Sequence, residues 1–188
     1  MKNLINKRRT IRKFERTPLT KEQLLSYVES ARVAPSAANM QALKYVAVGS
    51  KEMCEKIFPL VKFAGYLPDY NPDFDEQPSA YIVICADTDI RKSGNDIDVG
   101  IAAEHIVLSA LSDGVGACLM MAIDREEIAK VLNLPENLPI SLVVALGYPK
   151  EENREVEFKG DIKYYLEDNA ICVPKRSLNE VLVGEYYE

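Results

Sequence analysis

Two short segments hold the residues most able to do chemistry. In the first, Lys7-Arg8-Arg9-Thr10-Ile11-Arg12-Lys13-Phe14, positive charge is concentrated. Lys7, Arg8, Arg9, Arg12, Lys13 and Arg16 are six of the 23 lysines and arginines in a 188-residue chain of net charge −6. Guanidinium forks suit a phosphate dianion, and the Thr10 hydroxyl would add a donor. If the segment is extended, Arg8, Thr10 and Arg12 share a face. The plainer reading is a solvated basic face, the common fate of a short charge run. The second segment is Ala34-Pro35-Ser36-Ala37-Ala38-Asn39-Met40-Gln41. Pro, Ser and Asn end helices and form turns. Asn39 and Gln41 each carry a donor and an acceptor, which could read a ring of alternating carbonyls and nitrogens. The same residues also make an ordinary loop after a helix.

Other chemistries have little to work with. The single histidine, His105, falls inside an apolar helical stretch and reads as a hydrogen-bonded core residue, not a triad base or metal ligand. Cys54, Cys85, Cys118 and Cys172 form no Cys-x-x-Cys pair, so zinc ribbons and dithiol redox motifs are excluded and no metal site is expected. Gly114-Val115-Gly116 follows a helix and precedes a strand, the reverse of a dinucleotide fingerprint. If the chain is an enzyme, a cofactor carries the chemistry.

These residues need a scaffold. Apolar residues make up 47% and charged residues 28%, the profile of one globular domain. The acidic balance argues against a nucleic-acid binder. No apolar run is long enough to cross a membrane, and residues 1–6 carry no secretory h-region. Cysteines within apolar runs suit a reducing cytoplasm. Capping boxes mark helix starts at Thr20-Lys21-Glu22-Gln23, Asp124-Arg125-Glu126-Glu127 and Ser177-Leu178-Asn179-Glu180. The longest helix is expected from Asn95 to Asp113, buried on most sides, with Gly114 at its C′ position. Ala80 to Ala86 and Ile140 to Leu146 read as strands buried on both faces, with shorter strands at Tyr45 to Val48 and Ala117 to Ala122. The class is therefore mixed α and β with a covered sheet. Lys150 to Lys163 is charged and reads as irregular, and the chain after it turns apolar. That tail covers either its own domain or a second subunit.

Taken in order, several stretches resemble the FMN-dependent nitroreductase family. They are Arg-Arg-Thr-Ile-Arg-x-Phe, Pro-Ser-x-x-Asn-x-Gln, Asp98-Val99-Gly100, Gly114-Val115-Gly116-Ala117-Cys118, Ala145-Leu146-Gly147-Tyr148-Pro149 and Pro174-Lys175-Arg176-Ser177-Leu178. The resemblance implies an α+β sandwich, with a mostly antiparallel central sheet flanked by helices and a homodimer with exchanged C-terminal arms. Residues 1–188 would form one FMN-binding domain, with 150–188 as its extension and dimer arm. By position, Arg8, Arg9 and Thr10 would hold the FMN phosphate and ribityl chain, and Arg12 would approach the N1–C2=O edge. Lys175 and Arg176 would add phosphate contacts. Pro35, Ser36, Ala37, Asn39 and Gln41 would reach the FMN from the partner subunit. Leu119, Met120 and Met121 would lie along the flavin. The family often has Pro-Trp after Asn-x-Gln, where this chain has Ala42-Leu43. Another frequent Trp, after the Cys, is Leu119 here.

The implied activity is a cytoplasmic oxidoreductase with no catalytic side chain of its own. NADH or NADPH would reduce FMN at N5, and two electrons would then pass to a nitroaromatic, quinone or similar small acceptor. The alternative on the same fold is other flavin chemistry, or flavin storage or sensing without turnover. The loop from Gly65 to Pro78, with Tyr66, Tyr70 and Phe74 among acidic residues, is either a cover over the flavin or a plain surface loop.

Overall fold

The computed structural model describes residues 1–187. Its centre is a four-stranded, fully antiparallel sheet built from β1 (Leu43–Val48), β2 (Ala80–Ala86), β3 (Gly116–Met120) and β4 (Ile140–Gly147), in the order β1-β2-β4-β3. Every residue of β2 is buried. Its side chains alternate between two cores, as the period of two requires. Ala80, Ile82 and Ile84 join Leu142, Val144 and Leu146 on one face, under α2 (Lys21–Arg32) and α4 (Asp96–Ser112). Tyr81 and Val83 join Val143 and Ala145 on the other, beside α3 (Lys51–Ile57) and α5 (Arg125–Val131). Both central strands thus run apolar at nearly every step, Ser141 in β4 being the exception, because both faces are covered.

The helix starts follow their capping residues. Thr20 with Gln23, and Ser177 with Glu180, form complete boxes. Asp124 makes only half of one, accepting from Glu127 N–H at 3.1 Å. The helix after Ser177, α6 (Leu178–Val181), is a single turn. Helix α4 ends at Gly114 with φ +75°, a left-handed position that glycine takes without steric cost. Its expected burial is incomplete, since Ile97 points into solvent. His105 is half-buried, with Nδ1 2.9 Å from Ile101 O.

The basic segment is preceded by a short helix, α1 (Lys2–Lys7), for which the residue pattern gives no expectation. One expectation is corrected. The stretch 150–163 is not wholly irregular: Glu152–Glu157 forms β5, which pairs in parallel with β7 (Ala170–Lys175). β6 (Tyr165–Glu167) completes a second sheet in the order β5-β7-β6. The β6–β7 hairpin turns through Asp168 and Asn169, both left-handed (φ 50° and 61°), as a two-residue primed turn needs.

Candidate functional site

The basic segment leaves α1 and runs beside the edge strand β3. Ile11 N–H donates to Ala117 O at 2.9 Å, and Thr10 bridges Ala117 in parallel. Gly116 permits this approach: a Cβ there would lie 2.5 Å from Ile11 Cγ1. Three arginines then take different partners. Arg8 Nε lies 3.6 Å from Glu104 on α4. Arg9 donates to Arg8 O at 2.5 Å and pairs with Glu155 on β5. Arg12 is only 8% exposed. Its guanidinium sits 4.2 Å from the Tyr164 ring centroid, a cation–π arrangement. Its backbone N–H donates to Glu151 Oε1 at 2.7 Å.

Lys7, Arg8, Arg9, Gly116 and Asn153 help to line a cleft of about 220 Å³. Arg9 Nε is buried without an acceptor among the described residues, as is Arg12 Nη1 nearby in the chain. A buried donor left unpaired costs roughly 1–3 kcal/mol, more when charged. Donors of this kind suit a phosphate or a ring carbonyl, so the residues fit an anionic ligand. Asn153 Oδ1 is also unpaired.

The 65–78 loop lies against the same segment. Lys13 Nζ stands 4.6 Å over the Tyr70 ring, and the Arg16 guanidinium 5.3 Å over Phe74. Tyr66 N–H donates to Tyr164 Oη at 3.1 Å. Tyr70 donates to Glu151 Oε2 at 3.0 Å. Burial, and then the neighbouring Glu151 charge, push the Tyr70 hydroxyl well above its ordinary pKa.

The second segment adopts an unusual backbone. Ala38, Asn39 and Gln41 are all left-handed, at φ 50°, 54° and 53°. Asparagine tolerates this region; alanine and glutamine do so at a cost. Ser36 Oγ accepts from Gln41 N–H at 3.2 Å and closes the loop on itself. Pro35, Ser36 and Gln41 line a second cleft of about 200 Å³ with Leu43, Tyr45 and Asp98. Ala37 and Asn39 are exposed. No residue lines both clefts.

The other expected positions are dispersed. Leu119 and Met121 project outward, 44% and 63% exposed, whereas Met120 is buried in the core behind β3 and can offer only backbone to a ligand. Lys175 and Arg176 lie outside both clefts. Arg176 stacks on Phe158, 4.3 Å from the ring centroid. Residue pattern assigns no role to four residues that matter here: Asp98, Glu151, Asn153 and Tyr164. Asp98 belongs to a matching stretch; the other three fall where charge without periodicity hides a strand and its approach.

Comparison with known proteins bears on this arrangement. The model of the nitroreductase family matches residues 5–148. A protein of Archaeoglobus fulgidus, provisionally named an NADH dehydrogenase/NAD(P)H nitroreductase, is 33% identical over 156 residues, 79% of this chain and 85% of that one. An NADPH-flavin oxidoreductase of Vibrio harveyi is 28% identical, over 79% of this chain and 65% of its own. Among solved structures, an FMN-dependent nitroreductase from Clostridium difficile R20291 superposes with a TM-score of 0.67 at 27% identity, covering 81% of this chain and 89% of that one.

Proposed function

The chain belongs to the nitroreductase family, and from that premise we propose that it is an FMN-dependent NAD(P)H oxidoreductase that reduces nitroaromatics, quinones or similar small acceptors in two alternating half-reactions. The observation that carries the reading is the basic cleft lined by Arg9, whose buried Nε has no acceptor among the described residues, together with a second such donor, Arg12 Nη1, nearby in the chain. When bound, FMN supplies the electron-carrying chemistry, taking two electrons from the nicotinamide and giving them to the acceptor. The protein's own residues bind and orient. Arg8, Arg9 and Thr10 hold the phosphate end, with Lys175 and Arg176 as further cations for it. Arg12 places fixed positive charge at the pyrimidine edge of the ring, where negative charge develops on reduction. Leu119 and Met121 offer an apolar wall, and Met120 its backbone.

Pro35, Ser36, Ala37, Asn39 and Gln41 read the ring of the FMN bound to the other subunit of a homodimer. Two observations support this. The loop's cleft and the basic cleft share no lining residue within one chain, which fits a ligand that takes the two segments from different copies. The tail also leaves Leu178, Val181, Leu182, Tyr186 and Tyr187 exposed, apolar surface that a partner would cover. Within the 150–188 extension, residues 151–164 pack on their own chain's basic segment, and the exposed apolar end is then the arm that reaches across.

The test is an absorbance spectrum of protein reconstituted with excess FMN and desalted, recorded before and after NADH or NADPH is added without oxygen. Retained flavin bands that bleach are expected. Retained bands that persist would favour storage or other flavin chemistry. A colourless protein would overturn the FMN assignment.

A further inference from the structure

The loop Ser36–Gln41 is held in a costly shape, and one buried carboxylate holds it there. Three of its residues, Ala38, Asn39 and Gln41, are left-handed. Non-glycine residues stay in that region only where the surroundings over-determine them. The loop's internal bonds are few: Asn39 N–H to Ser36 O at 2.9 Å, Met40 N–H to Ala37 O at 3.1 Å, Gln41 N–H to Ser36 Oγ at 3.2 Å, and the Gln41 side-chain amide to Asn39 O at 3.3 Å. Among the described residues a single hydrogen bond ties the loop to another element: Ala37 N–H donates to Asp98 Oδ1 at 3.0 Å. Asp98 sits in the first turn of α4 and is 2% exposed. Its second oxygen is engaged by Arg91 Nη1 at 3.3 Å. A carboxylate taken out of water needs such partners on both oxygens. It therefore forms a fixed two-way junction, with the rigid helix behind it, the loop amide on one oxygen and Arg91 on the other.

We infer that Asp98 is a positioning residue that presets the Ser36–Gln41 loop in its ligand-reading shape. The inference rests on the reading of that loop as a flavin contact. Asp98 touches no reacting atom. It acts through the Ala37 amide, so that ordering of the loop does not have to be supplied by the ligand at binding.

Two variants separate this role from general stabilisation. Asp98→Ala removes the acceptor, and Asp98→Asn keeps a carbonyl oxygen for Ala37 N–H while losing the charge. Native-state hydrogen exchange is measured on each protein without flavin, and the FMN dissociation constant by fluorescence titration. In Asp98→Ala, exchange should quicken across residues 36–41 while the β2 and β4 amides keep their protection. FMN affinity should fall about tenfold, the size of one lost hydrogen bond to a charged acceptor. Asp98→Asn should restore most of both. Faster exchange throughout the chain, or wild-type loop exchange in Asp98→Ala, would overturn the anchor. Loop loosening with unchanged FMN affinity would overturn the positioning role. Failure of the wild-type chain to bind FMN would remove the flavin reading and leave the exchange result to judge the anchor alone.

Discussion

The two clefts hold their functional groups in opposite ways. The one at Arg8 and Arg9 is built from long side chains whose charge is steered by carboxylates, Glu104 beside Arg8 and Glu155 on Arg9, while Glu151 in its lining holds the Arg12 backbone amide. The one at Ser36–Gln41 is built from backbone, shaped by left-handed residues and a buried aspartate. The first stores charge and leaves donors open; the second stores conformation. A ligand with a phosphate at one end and a flat hydrogen-bonding ring at the other needs both. The difference teaches that affinity and recognition can be assigned to separate segments and changed separately.

The largest expected effect lies on the charge-built side. Replacing Arg8 and Arg9 together by alanine should weaken FMN binding by about a hundredfold, two charge-assisted hydrogen bonds' worth. A fluorescence titration measures it. The loss should be much smaller for riboflavin, which lacks the phosphate. Equal losses for the two ligands would break the division between the clefts.

A smaller and opposite effect belongs to the shape-built side. Ala38→Gly relieves one left-handed residue (φ 50°, ψ 23°) and should raise stability by about 1 kcal/mol or less. In a domain of this size that is a rise of roughly 2–4 °C in Tm. Flavin affinity should fall at the same time, because the freed loop must then be ordered by the ligand. A lower Tm in Ala38→Gly would mean that the conformation is not strained.

The smallest effect sharpens the contrast through pH. Burial pushes the Glu76 carboxyl up, but its partners prevail and hold it below the ordinary glutamate pKa: Lys13 Nζ at 2.8 Å, the Asp73 amide, and the charge of Lys150. A carboxyl lowered in the folded state contributes stability above its unfolded pKa and loses it as pH falls through the folded value. The pinning of Lys13 and Lys150 should therefore be complete at neutral pH and fade below the ordinary carboxylate range. Glu76→Gln should flatten the acid limb of a Tm-against-pH curve, and an unchanged limb would assign acid loss elsewhere.

Much of the central scaffold is legible in the residue pattern. The runs at Ala80 to Ala86 and Ile140 to Leu146 are apolar at nearly every step, and both are strands under cover on both faces. Thr20 and Ser177 cap the helices that their boxes announce. The second sheet is hidden because Glu152, Arg154, Glu155 and Glu157 show no buried stripe; β5 forms through its pairing with β7, whose Ile171 and Cys172 are fully buried. Short helices such as α1 and α3 carry too few turns for periodicity to speak.

The candidate site divides along the same line. Residue types alone determined that a basic segment and an amide-rich loop were the places to look, because charge and hydrogen-bonding capacity belong to the side chain wherever it stands. Tertiary structure alone decided that Arg12 is buried against Tyr164, that Met120 turns into the core while Leu119 and Met121 face outward, and that Asp98 grips an amide 61 positions away. Burial, open donors and strained backbone come from contacts between distant segments, and local pattern carries no record of those partners.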